Sequence, residues 1–275
     1  MSTDVNIVRL TFMTSFFHSL IVTLLLILNT NKLLVQHYEN GLYIGKIAEF
    51  LIQSINQNHV VAWVVGITIL LFLLYSFIYP IGQAAVIHYL HWQKGIKHSL
   101  KAVLPYFFPM FEYGFVCLVF SPVSFFITAY KVFLLDGARS LLTFLIFGIW
   151  FTVMVTINTL KVYTRYFIVL QQMPLYEALK TSIQTSWKTY KETRKYMQMQ
   201  TILLINFSLN LIFIIGIPFL LIYAAISWNI ISIWWVKTLV YVIFFLLVIL
   251  SAYMSSFIRA FFVYYWYEIY KKIRG

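Results

Sequence analysis

The stretch YTRYFIVLQQMPLYEALKTSIQTSWKTYKETRK, residues 163–195, decides how this chain is read. It begins as the end of a long apolar run, turns at Met173 and Pro174, and continues as a basic segment feeding the next apolar run. From Pro174 onward Leu175, Leu179, Ile183 and Trp187 fall four residues apart, the spacing that puts side chains on one face of a helix. Lys180, Lys188, Lys191 and Lys195 cover much of the remaining circumference. Such a helix suits a membrane interface, with its apolar side among acyl chains and its lysines among phosphates. The pattern therefore predicts an elbow helix lying along a membrane and joining two helices that cross it.

The composition agrees with that reading. Of 275 residues, 62% are hydrophobic and only 10% charged, against roughly a quarter charged in an average soluble domain. The apolar residues gather in runs of the length, about 20 residues, that crosses a ~30 Å hydrocarbon core. Tyrosine and tryptophan cluster at run ends, as an aromatic belt at the two interfaces requires. The fold class expected is an all-α membrane protein with six transmembrane helices, near residues 11–28, 60–79, 105–132, 141–160, 202–226 and 236–257. The second is expected to continue through a kink at Pro80 and Gly82 to Gly95, and the last to continue as helix to the C-terminus. The fifth should bend at Gly216 and Pro218. A surface helix is expected in the 36–59 loop, with Ile44, Ile47, Leu51 and Ile55 on one side. The first run lacks the short apolar core and small-residue site of a cleaved signal.

Charge placement gives an orientation. With six spans, Arg9, Lys94, Lys97, Lys101, Lys161, Arg165, the 180–195 cluster, Arg259 and the C-terminal basic group all fall on one side. Lys32, Lys46, Lys131, Arg139 and Lys237 fall on the other. The positive-inside rule then puts both termini in the cytoplasm. The net charge of +12 is thereby explained by lipid headgroups, and nucleic acid is not an expected partner.

A weak internal repeat runs through the chain. The segment GIKHSLKA after the second span is a shorter version of PLYEALKT after the fourth; aligning Gly95 with Pro174 pairs Leu100 with Leu179 and Lys101 with Lys180. A single membrane domain of three helical hairpins is the economical reading, at about 1–104, 105–195 and 196–275.

The segment RYFIVLQQMPLYEALKTSIQTSWK followed by a span, with a final span ending YYWYEIYKKIR, resembles the YciC-like superfamily of bacterial inner-membrane proteins. It is similar as well to the membrane domain of some glycerophosphoryl diester phosphodiesterases, without their catalytic domain. The chain departs from the family pattern in having Phe147-Gly148 where a Pro-Gly often opens the fourth span. The resemblance implies a bacterial cytoplasmic membrane and a helical-hairpin architecture. It implies no phosphodiesterase activity.

Few residues carry chemistry. There is no glycine-rich phosphate loop, nucleophile elbow, HExxH or carboxylate pair, so the chain is read as non-enzymatic with no cofactor. Cys117, the single cysteine, reads as packing. His88, His91 and His98 have part of a metal-ligand spacing and read as interfacial imidazoles rather than ligands. Glu112 is the carboxylate most out of place in an apolar run, at the depth of Lys161 and Arg165 on the neighbouring span, and is expected to form an intramembrane ion pair with one of them; the alternative is a proton or substrate site. Gln83 and Arg259 sit at a similar depth and suggest a polar ring, either snorkelling side chains or a pocket for an anionic headgroup. Lys97, Lys101, Lys180, Lys188, Lys191 and Arg259 are the expected contacts to anionic lipid. The function expected is a membrane scaffold or assembly-type protein engaging anionic lipid or partner membrane proteins; the alternative is a small transporter or lipid-translocating protein.

Overall fold

The computed structural model describes residues 5–30, 59–121, 125, 128–129, 132–133, 140–211, 217–218 and 234–274. The regular elements among them are all helical: α1 Val5–Thr30, α2 His59–Trp92, α3 Ile96–Ala102, a 3₁₀ turn Leu104–Tyr106, α4 Phe107–Val119, α5 Leu141–Leu160, α6 Thr164–Gln171, α7 Leu175–Lys188, α8 Tyr190–Leu211 and α9 Trp234–Arg274. The surface helix expected in the 36–59 loop, the far part of the third span and the end of the fifth fall almost wholly outside the described residues.

Three helical stretches, Val65–Trp92, Leu141–Gln171 and Phe245–Arg274, are long and apolar enough to cross a membrane, and Val5–Ile21 is a shorter apolar one. Their surfaces agree. Trp63, Ile69, Leu70 and Phe72 on α2 are exposed, as are Leu141, Leu142, Ile149 and Phe151 on α5. So much contiguous apolar surface is foreign to a monomeric soluble protein, and it suggests a membrane protein.

Helix α1 packs against both α2 and α9, and small side chains permit the approach. A Cβ added at Gly82 on α2 would lie 2.5 Å from Thr14 Cγ2 on α1. On the other side Thr11 Oγ1 lies 2.8 Å from Ser256 Oγ, and the Ser256 hydroxyl donates to the Val8 carbonyl at 2.9 Å. Close backbone approach through Gly, Ser and Thr is the usual way helices hold together where lipid removes the hydrophobic drive between them. As expected, α2 continues through Pro80 and α9 runs unbroken to Arg274.

The buried core lies at one end of this bundle. It joins Ala84, Ala85, Val86 and Ile87 of α2, Val103, Met110 of α4, Tyr166 to Val169 of α6, Ala178 of α7, and Val263, Trp266, Tyr267 and Tyr270 of α9. This is the end that carries the two elbows.

The elbows share more than sequence. The offset that pairs Gly95 with Pro174 also pairs Gln93 with Gln172, and both glutamines adopt the left-handed conformation, φ 52° and 57°. A left-handed residue just past a helix is a common stop, because it turns the chain while the last carbonyls are satisfied. Here Gln93 N–H donates to the Tyr89 carbonyl at 2.9 Å, and Gln172 closes α6 onto Phe167. The same offset pairs Ser99 with Ala178 and Val103 with Ser182, and each of these four is fully buried.

One detail of the 163–195 stretch differs from expectation. The elbow helix ends at Lys188, not Lys195, so Lys191 and Lys195 lie on the first turns of α8. Thr189 stands at the break, its hydroxyl bonded to the Thr185 carbonyl at 2.9 Å and in contact with Thr193 Oγ1 at 3.1 Å. Threonine bonding back onto its own helix bends it. The elbow's inward face is one that the apolar stripe did not name. It is Ala178, Ser182 and Ser186, all buried, whereas Ile183 and Trp187 are exposed. The two serine hydroxyls donate to the Leu160 carbonyl at 2.7 and 3.2 Å. They satisfy an orphan acceptor at the end of α5, and the chain turns there before α6.

Candidate functional site

Polar and basic groups meet around Tyr79, Tyr113 and Cys117, next to the core. Tyr79 comes from α2, one turn before Gln83, whose Nε2 donates to the Tyr79 hydroxyl at 2.7 Å. Tyr113 and Cys117 come from α4, one turn apart on one face. The Tyr113 hydroxyl is buried and donates to the Lys161 carbonyl at 3.3 Å, in the turn between α5 and α6.

Three cations enter this neighbourhood from two chain segments. Lys161, 5% exposed, places its ammonium beside the Cys117 thiol, a weak acceptor at best. Arg165 on α6 lies over the Tyr166 ring at 5.0 Å and within electrostatic reach of Tyr79, Tyr113 and Cys117. Arg259 on α9 lies over the Tyr79 ring at 6.0 Å. Lys161 Nζ, Arg165 Nε and Arg259 Nη1 are buried and have no hydrogen-bond acceptor among the described residues.

No carboxylate among the described residues offsets them. The expected ion pair of Glu112 with Lys161 or Arg165 is not formed: Glu112 is exposed on α4, and the one ion pair among the described residues is Glu268 with Lys271, 2.8 Å apart on the surface of α9. Depth along the helices was legible in the sequence, but the face of α4 was not. Tyr113, one residue on, takes the inward position, because an aromatic ring can be buried there with a single hydroxyl to satisfy.

The remaining candidates divide by exposure. Lys97, Lys101, Lys180, Lys188 and Lys191 are all exposed, whereas Arg259 is half-buried against Tyr79. Lys188 and Arg274 also flank a cleft of about 330 Å³ between α6, α7 and α9, together with Thr181, Thr185 and Thr189. The histidines are tied up separately. His88 Nδ1 lies 3.2 Å from Ser99 Oγ and His91 Nδ1 3.1 Å from the Tyr267 hydroxyl. No group of three or more His, Cys, Asp or Glu among the described residues is placed to hold a metal ion.

Reasoning from the sequence missed Ser182 and Ser186, which hold α7 to the end of α5. Their signal was present as Ala178, Ser182 and Ser186, small residues recurring every four. Also missed were Tyr113 and the Trp266 indole, which donates to Gln200 Oε1 at 2.6 Å and ties α9 to α8.

Among the described residues, helices throughout, some of membrane length and apolar, with a basic cluster at one end that no carboxylate meets, are the class that fold and site define. No protein-family model, curated protein or solved structure matches the chain.

Proposed function

We propose that this chain is a non-enzymatic integral protein of a bacterial cytoplasmic membrane, with six spans in three hairpins and both termini in the cytoplasm. It serves as a scaffold or assembly-type protein that engages anionic lipid or partner membrane proteins, in keeping with its resemblance to the YciC-like superfamily. The observation that carries the lipid half of this reading is the outer surface of the elbow. There, and on the first turn of α8 that follows, Tyr176, Ile183, Trp187 and Tyr190 are exposed, as are Lys180, Lys188 and Lys191, while the elbow's inward face is small residues. Rings and aliphatic side chains at acyl-chain depth, with ammonium groups among phosphates, are what an interfacial helix presents. A lysine near an anionic surface contributes about 1 kcal/mol of attraction, so the three together favour anionic lipid strongly in low salt.

The test reconstitutes the full chain in nanodiscs of mixed phosphatidylglycerol and phosphatidylcholine and measures the lipid shell by native mass spectrometry. Lys180→Gln, Lys188→Gln and Lys191→Gln combined should reduce phosphatidylglycerol enrichment, and added salt should reduce it in the wild type. An unchanged shell in both experiments removes the reading.

A second reading, lipid translocation or transport, draws on the cations buried among the helices. Reconstituted vesicles scoring movement of labelled anionic lipid between leaflets distinguish it: a scaffold leaves the rate at the protein-free background.

A further inference from the structure

Three basic groups, each with a buried nitrogen that no described acceptor meets, form an incomplete site. Surface lysines are solvated and lose little when nothing binds them. A cation held away from water without a partner costs several kcal/mol. Lysine can escape that cost by giving up its proton, but a guanidinium keeps its charge. Arg165 and Arg259 therefore each keep their charge with one buried nitrogen unmatched, and no described carboxylate meets it.

We propose that Lys161, Arg165 and Arg259 together hold one phosphate-type oxyanion, with Tyr79 and Tyr113 as its walls. The donor set fits such a ligand. Two guanidiniums offer flat, forked donors suited to tetrahedral oxyanions, and the ammonium supplies a third, point-like charge. Tyr79 accepts from Gln83, which leaves its own hydroxyl proton as a further donor. Arg165 and Arg259 are each only half-buried, so the site has an edge through which an anion enters.

Depth points to the phosphate layer of a leaflet. Helix α5 starts at Leu141, capped by the Ser140 hydroxyl. Its 20 residues to Leu160 span ~30 Å at 1.5 Å each, the thickness of a hydrocarbon core. Lys161 is the next residue, so it stands where acyl chains give way to phosphates. A lipid headgroup or a free phosphate from the aqueous side would present the same oxyanion to these donors.

This inference rests on the reading that the chain engages anionic lipid, yet it concerns different residues and a different response to salt. Elbow attraction is screened within roughly 8–10 Å at physiological ionic strength, whereas a buried pair is screened much less. The full chain is reconstituted with phosphatidylglycerol and phosphatidylcholine, washed at high salt, extracted in mild detergent and weighed by native mass spectrometry. In parallel, its thermal midpoint is measured in phosphate and in chloride at matched ionic strength. One phosphatidylglycerol retained per chain assigns the oxyanion to a headgroup. A raised midpoint in inorganic phosphate without retained lipid assigns it to the free ion. Either response should fall about tenfold or more, over 1.4 kcal/mol, in Arg165→Gln with Arg259→Gln. It should survive the combined substitution of Lys180, Lys188 and Lys191 by Gln. Lys161→Met, which keeps the length and removes the charge, gives a further variant if the arginine pair is needed for folding. The proposal is overturned if the wild type shows neither response, or if the arginine and lysine-to-methionine variants respond like it. Loss of shell enrichment in the elbow variant, with the retained anion intact, leaves this site standing alone. The converse result, enrichment without a retained anion, removes this site and leaves the elbow.

Discussion

Replacing Gly82 by alanine isolates the contact that lets α1 lie against α2. The new Cβ would stand 2.5 Å from Thr14 Cγ2, closer than carbon atoms tolerate. Thr14 has little room to move, because it is buried and its hydroxyl donates to the Thr11 carbonyl at 2.8 Å. Overpacking a close-packed contact by one methyl costs about 1–3 kcal/mol. Alanine also gains roughly 1 kcal/mol over glycine within a helix, so the raw change in stability is ambiguous. Gly66 in the same helix and Gly148 in α5 remove the ambiguity: a Cβ at either meets nothing within 4 Å. Alanine there collects the helix gain alone. The expected result is that Gly82→Ala falls about 1–3 kcal/mol below Gly66→Ala and Gly148→Ala. Thr14→Ser, which removes the methyl but keeps the hydroxyl, should then recover much of the loss in a double-mutant cycle. The assay is thermal or denaturant unfolding of the purified protein in one detergent, followed by circular dichroism. Equal stability of Gly82→Ala and the two control variants would refute the close-approach argument.

Three further outcomes follow from other contacts. Ser182→Ala or Ser186→Ala alone should cost little, since the other hydroxyl still reaches the Leu160 carbonyl; both together leave that acceptor unmet and should cost about 1–3 kcal/mol, more than the sum of the singles. Glu112→Gln should change stability by less than about 0.5 kcal/mol in the same unfolding assay, as expected of an exposed group with no ion-pair partner. Trp266→Phe removes the donor to Gln200 Oε1 and should lower stability by about 1–3 kcal/mol, with Gln200→Leu in the same background restoring part of it by removing the stranded acceptor.

The helices were legible because apolar runs of membrane length leave few alternatives, and the long unbroken α9 was visible as a span continuing into aromatic and basic residues. Elbow position was legible from Gly95 and Pro174. What the sequence hid was which face turns inward. On α7 the apolar stripe ending in Ile183 and Trp187 was read as the side turned to acyl chains, and both residues are exposed, but that reading left the inward residues unnamed. In a membrane the apolar stripe has a second home in lipid, so the protein interior goes to Ala178, Ser182 and Ser186, which allow closer contact and supply hydroxyls. An unnamed inward face also accounts for Glu112. Its depth followed from counting, but a carboxylate at interface depth can face outward, and Tyr113 fills the interior instead. Polarity alone does not mark the inside of such a bundle; size and hydrogen-bonding need do.

The one-ended core has a mechanical meaning. From about Ala84 on α2 and Val263 on α9 the helices are clamped together, while Trp63 to Phe77 and Leu141 to Val155 present mainly exposed apolar side chains. Among the described residues, packing is thus tightest at the elbow end, and the far halves of α2 and α5 turn their apolar side chains outward. In a bilayer those halves are where a mismatch in thickness acts, each ångström costing a fraction of a kcal/mol, at a distance from the tie around Tyr79, Arg165 and Arg259.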